Sequence, residues 1–339
     1  MTHAVTRLEP TLPSACGPIS AAVIGHLVCR TPRRYFNPVD APVSDSDPYG
    51  LDLQLALSLC YELHYRGFVD VDERWEWDPG VLALRGRLEK RFLESVRADV
   101  GPIDSDATAA DEMAGLSVEP VDGFGPSHHL RDQGTWEQMR EYFVHRSVYH
   151  LKEGDPHAWV IPRLSGNAKA AFVAVEFDEF GAGHGDRVHQ HLYAELLEAA
   201  DLDPTYLHYL TDVPAEALVT VNLMSLFGLH RQLRGAAVGH FAATEITSSP
   251  GSRRLVEALT RLQALEPCVR FYREHVEADA VHEQVVRTGV VSELLQREPH
   301  LESDVVFGIR AFNLVEDRLA SHLMACWQAG QSSLRRPLS

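Results

Sequence analysis

The chain has 339 residues, 45% hydrophobic and 23% charged, so it can bury a large core, and its length exceeds the usual single-domain size without forcing two domains. Its formal net charge of −17 repels other polyanions, which excludes nucleic acid and anionic membrane as natural partners. Five cysteines (Cys16, Cys29, Cys60, Cys268 and Cys326) are scattered, odd in number and free of any CxxC pair, a usage that fits a reducing compartment and neither a disulfide framework nor a zinc ribbon.

The first twenty residues lack a basic stretch followed by an apolar core, and no run approaches 18 apolar residues. The expectation is a cytoplasmic protein with no membrane association. Residues 1–46 are rich in Pro, Ser and Thr around one apolar patch, "AAVIGHLV", and read as an N-terminal extension partly ordered against the body. A helical domain is expected over 47–330, followed by a short tail, 331–339. Its first helix covers 47–68, with Asp47 as cap and Pro48 in the first turn. A second covers 77–100, again opened by Asp-Pro. Residues 101–130 are acidic, carry Gly and Pro, and lack apolar periodicity, so they read as a long loop.

Helices are then expected over 135–153, over the second half of 155–181, and over 185–202 with Asp186 as cap. One long or two consecutive helices fill 215–248, and others follow at about 250–264, 267–287 and 301–328. Alternating runs and Asn-Gly turns are scarce. The fold class is all-α, a single helical bundle without internal repeats.

The helix over 267–287 places His275, Asp279 and His282 at i, i+4 and i+7, on one face. Two imidazoles and a carboxylate suit iron, manganese or zinc. The flanking Phe271, Ala278 and Val286 turn this stripe inward, and Glu274, Glu277 and Glu283 form a solvated set on the opposite face. Taken alone, such a triplet arises readily by chance in so acidic a chain. Partners occur elsewhere. Glu245 sits among Phe241, Ala242 and Ala243. Glu179 and His189 bracket the Gly-rich "FGAGHGDRV", and Glu153 ends its helix. Four carboxylates and three imidazoles meet the ligand demand of two irons.

Competing motifs fail. No Glu has His three residues on, as ferritin-like sites require, and HExxH, GxSxG and GxGxxG are absent. "HGD" at 184–186 lacks a strand context, and His64 reads as a core histidine. In substrate recognition, Arg310 on the last helix is a candidate for a carboxylate, and Arg146 and Tyr149 are candidates to line the same pocket. His150 reads as an outer partner of Glu153, and His157 as a capping or surface residue.

The order Glu153, Glu179, His189, Glu245, His275-x3-Asp279-x2-His282 resembles the heme-oxygenase-like diiron oxidases and oxygenases, the iron-containing redox enzymes. "YELHYRGF", "EGDPHAW" and "DEFGAG" look like the same family, and the resemblance spans roughly residues 47–328. It implies a heme-oxygenase-like helical fold, two irons in a labile site, and O2 activation without heme. Glu153, His189 and His282 are implied to hold one iron and Glu245, His275 and Asp279 the other. Glu179 matches an additional carboxylate of the N-oxygenating members. The implied reaction is N-oxygenation of an amine-bearing small molecule or amino acid in a biosynthetic pathway, with oxidative C–C cleavage or desaturation of an aliphatic amino or fatty acid as the alternative. An external electron donor is compatible with this chemistry, and the 47–100 helical pair offers a surface for a homodimer.

Overall fold

The computed structural model describes residues 9–28, 41–118 and 123–338, the side chains of 277–280 apart. Helices follow one another as α1 (Pro18–Leu27), α2 (Leu51–Glu62), α3 (Pro79–Val100), α4 (Ala109–Leu116), α5 (Pro126–Asp132) and α6 (Trp136–His150). Next come α7 (Asp155–Ala158), α8 (Gly166–Glu179), α9 (His189–Ala199), α10 (Ala215–Leu229), α11 (Arg234–Arg261), α12 (Glu266–Gln284), α13 (Glu293–Arg297) and α14 (Glu302–Gln328). No strand occurs among the described residues, so the fold is all-α, as the periodicity requires.

Local chemistry sets several starts. Asp78 accepts from the amides of Gly80 and Val81 with Pro79 in the first turn, and Thr135 and Gln138 form a reciprocal capping box on α6. α2 starts later than expected. The Asp47 carboxylate accepts from the Tyr49 amide in a turn, and Gly50 occupies the cap. The 101–130 stretch is not a continuous loop but holds α4, capped by Thr108, and α5, opened by Pro126. Each is too short to show a helical period: α4 buries only Ala109 and Met113, and α5 only Leu130.

α10 is buried on nearly every side from Ala217 to Gly228, which makes it a central helix. α11 runs beside it and packs on both α12 and α14. The sequence suggests a break near residue 250, yet α11 continues through Pro250. The proline removes one i→i−4 donor, and packing along both flanks outweighs that loss. Past α12 the chain winds as a π-helix over Val285–Ser292, where Gly289 lies against Ala171 of α8.

The first described helix and the last described residues are both tied to the body. Asp52 of α2 accepts from the amides of Ile19 and Ser20 and from the Ser20 hydroxyl, capping α1 from a neighbouring helix. Near the C-terminus, Ser333 donates from its amide and its hydroxyl to Glu141 of α6, and Leu334 is buried. No described helix is long and apolar enough to cross a membrane.

The α11–α14 crossing depends on two glycines. A Cβ at Gly239 would collide with the Val305 carbonyl, and one at Gly308 with the Ala236 carbonyl. Backbone cannot yield as a flexible side chain can. Gly239→Ala is therefore expected to destabilise by about 1–3 kcal/mol or more, read as a lower thermal midpoint. An unchanged midpoint would show that the crossing adapts.

Candidate metal centre

The site is assembled at ends of helices. Glu179 is the last residue of α8, and the chain then reverses through Gly181 (φ +75°) and Gly183 (φ +85°). A Cβ at Gly181 would lie 2.7 Å from the Val188 amide nitrogen, so only glycine allows so tight a return. The return places His189 at the first position of α9, facing Glu179. Asp186 does not cap α9; it lies in a separate turn, and Val188 precedes the helix. Glu153 projects from the turn that ends α6, just before Gly154 (φ +85°). Glu245 comes from the middle of α11, and His275 and His282 from α12.

These six side chains are buried and form two groups that share one carboxylate. Glu153, Glu179, His189 and His275 compose the first, and Glu179, Glu245 and His282 the second. In each group the donor atoms lie within 4.8 Å of one another. His189 Nδ1 is 2.7 Å from Glu179 Oε2 and 3.9 Å from Glu153 Oε2, and His275 Nε2 is 3.6 Å from Glu153 Oε2. His282 Nδ1 is 3.1 Å from Glu245 Oε2 and 3.9 Å from Glu179 Oε1. His275 thus groups with Glu153 and His189, and His282 with Glu245, the reverse of the pairing that the resemblance implies. Asp279 lies on α12, but its side chain falls outside the described residues, as does that of Glu277. Glu274 pairs with Arg187 at 3.6 Å, and Glu283 bonds Ser117 and Arg287, so both are engaged at the periphery.

The orientation of the donors fits a cation. Glu153 Oε2 and His189 Nδ1 are buried without a hydrogen bond, although His189 Nδ1 and Glu179 Oε2 nearly touch. Two atoms each ~2.1 Å from a common ion at a right angle would stand ~3 Å apart, close to this spacing. Other bonds hold the groups in place. His150 Nδ1 lies 2.8 Å from Glu153 Oε1, and His275 Nδ1 donates to the Phe271 carbonyl, leaving Nε2 facing Glu153. Burial alone would raise the Glu153 carboxyl, but His150 and His275 outweigh it and hold it well below the usual range. The donor set of imidazoles and carboxylates, with no cysteine, suits iron, manganese or zinc.

One acid was not singled out from the sequence. Glu176, one turn before Glu179, is buried with neither oxygen hydrogen-bonded. Burial first, then Glu179, Glu245, Asp155 and Glu153, push its carboxyl well above the ordinary range. The Glu-x-x-Glu spacing on α8 is the signal that could have found it.

A cavity of about 380 Å³ lies against Glu153 and His275. Arg146 and Tyr149 line it, as do Tyr272 and Phe312. Arg146 makes a two-pronged bond to Glu316 at 2.9 and 2.6 Å, also in the wall. Arg310 does not serve this cavity, because its guanidinium is bound to Glu112 at 2.6 and 2.9 Å. His157 is not at the surface. It is buried against His240 and Phe241. His64 is buried beside Glu76, as a core histidine should be.

A protein-family model described as iron-containing redox enzyme matches residues 140–317, just over half of the chain and a span that includes every donor named above. No curated protein matches the chain.

Two measurements follow from this geometry. His275→Ala should weaken Co(II) or Fe(II) binding by more than the ~10–100-fold typical of losing an outer partner, whereas Glu274→Ala should leave it unchanged; the opposite ranking would dissolve the cluster as a metal site. His145, His157 and His240 are each pushed down to about 3, chiefly by burial. An unfolded histidine titrates near ~6.5, so between these values the unfolded chain binds more protons and stability falls as pH drops. The loss approaches about 1.4 kcal/mol per pH unit for each histidine. Thermal midpoints of the metal-free protein should therefore fall from pH 6.5 to 5, less steeply in His240→Met.

Proposed function

The chain belongs to the iron-containing redox enzyme family, and from that premise we propose that this oxidoreductase is a nonheme diiron, O2-dependent enzyme that N-oxygenates an amine-bearing small molecule or amino acid. The observation that carries the reading is the place of Glu179, whose Oε2 faces His189 and whose Oε1 faces His282. A carboxylate shared by two donor groups is what two adjacent cations demand. Glu153, His189 and His275 would hold one iron beside it, and Glu245 and His282 the other.

Two ferrous ions held there would supply two electrons, which with O2 and two protons would convert an amine N–H to N–OH and release water, and each further turnover would need an external donor. The cavity does the rest. Its inner wall is Glu153 and His275, which sets a bound molecule against the centre. Tyr142, Tyr149, Phe271, Tyr272 and Phe312 give that molecule aromatic surface to lie against. An apolar wall favours the uncharged amine, whose lone pair is the nucleophile. Farther along the wall stand Glu316 and Asp317 as acceptors for an amino group and Arg146 as a partner for a carboxylate. The Asp317 carboxyl is raised, first by burial and then by Glu316.

Anaerobic titration is expected to load two Fe(II) per chain. A single pulse of O2 with candidate amines should then yield hydroxylamine or nitro products. An alkene with a one-carbon fragment would instead establish C–C cleavage or desaturation at the same site. Uptake of less than one iron would leave a non-catalytic scaffold.

A further inference from the structure

α8 ends in two consecutive carboxylates, and they straddle a single ring. Glu179, inside, has Oε1 3.9 Å from Nδ1 of His282, and Glu245 has Oε2 3.1 Å from the same nitrogen. Asp178, outside, has Oδ2 3.1 Å from Nε2 of that imidazole. Its side chain is 50% exposed, against 8% for Glu179. The division follows from the helix end: successive residues diverge by about 100° around the axis, so one acid points into the cluster and its neighbour toward solvent.

An ionised carboxylate can only accept. Asp178 and Glu245 are therefore both acceptors, each 3.1 Å from one nitrogen of His282; once a cation between Glu179 and Glu245 takes the Nδ1 lone pair, Asp178 is the acceptor that holds the remaining proton on Nε2. His275 is fixed in the opposite sense, since its Nδ1 donates to the Phe271 carbonyl and its Nε2 faces Glu153. The two histidines of α12 present different nitrogens to the cluster, and each has its own anchor. The anchor of His275 is backbone and comes with the helix. That of His282 is a side chain from another helix, and a substitution can remove it.

We propose that Asp178 is a positioning residue of the metal centre, fixing the tautomer and orientation of His282 so that Nδ1 faces the metal. The proposal rests on the reading of the cluster as a metal site. Outer carboxylate–histidine pairs of this kind set ligand basicity and ring angle, whereas an ion pair this exposed contributes little to folding.

The test uses the full chain loaded anaerobically with Fe(II), followed by chelator competition, and with Co(II), followed by its visible ligand-field bands. Asp178→Ala is expected to bind Fe(II) about 10–100-fold more weakly and to shift the Co(II) bands. Asp178→Asn, which keeps a neutral acceptor, should recover part of the loss. The thermal midpoint of the metal-free variants should match that of the unaltered protein. As a check that needs no variant, long-range nitrogen–proton spectra of the Zn(II)-loaded protein should show His282 protonated at Nε2. A proton on Nδ1, or Asp178→Ala binding and absorbing like the unaltered chain, would overturn the assignment while leaving the metal site standing. Failure of the unaltered chain to take up metal would overturn the metal site as well.

Discussion

The structure turns on the repulsion among buried carboxylates. Glu153, Glu176, Glu179 and Glu245 are gathered where water cannot screen them. An isolated buried carboxylate is costly, and several together are worse, because each disfavours ionisation of the next. Three remedies are visible. Histidines stand between the acids, Glu176 is pushed well above its usual range toward the neutral acid, and open donor atoms are left where a cation would neutralise the group. The third is the strongest, since a divalent ion draws all the nearby carboxylates at once.

That requirement explains how the surrounding helices are tied down. Glu153 is held by its side chain to His150 and by its backbone, where Gln190 donates to its carbonyl and is itself gripped by Arg66. Arg66 also donates to the Leu151 carbonyl, and next to it the buried Glu62 takes a bond from Tyr206 and an ion pair from Lys152. The turn carrying Glu153 is thus fixed from α2 and from α9. Nearer the start of α6, Glu141 collects three donors from Trp327 and Ser333, so the C-terminal tail braces the helix that leads into Glu153. Helix α6 also carries Arg146 and Tyr149, so one braced element sets both the centre and the cavity wall.

Much of this was legible in the sequence because the donor residues recur at helical spacing beside small or aromatic neighbours. His275 and His282 are seven apart on an inward face, and Glu245 sits among alanines that admit close packing. The Gly-rich turn between Glu179 and His189 announced itself through residues that only a tight reversal needs. Other features could not be read this way. α4 and α5 are too short to establish a period, and Pro250 looks like a stop unless the flanking helices are known. Arg310 and Arg146 are alike in sequence, each an arginine on a helix with an acid to pair. Only the fold reveals that Glu112 claims the first outside the cavity and Glu316 holds the second within its wall. His157 reads as a residue of a helix start, yet it is a buried ring because α7 packs on α10 and sets it against His240 and Phe241 of α11.

The grouping of the histidines shows why spacing alone cannot assign ligands to metals. Residues seven apart on a helix share a face but are about 10 Å apart along its axis. His275 and His282 therefore reach different places: the first meets Glu153 and His189, and the second meets Glu245. Glu179, at the end of α8, is the carboxylate that spans the interval between them. A chain whose candidate donors come from five separate segments has no preformed site before tertiary packing is complete, so the free energy of metal binding would add to the folded state alone. The repulsion among these carboxylates is the term that a bound metal would relieve, so folding stability and metal affinity would be two readings of one electrostatic constraint.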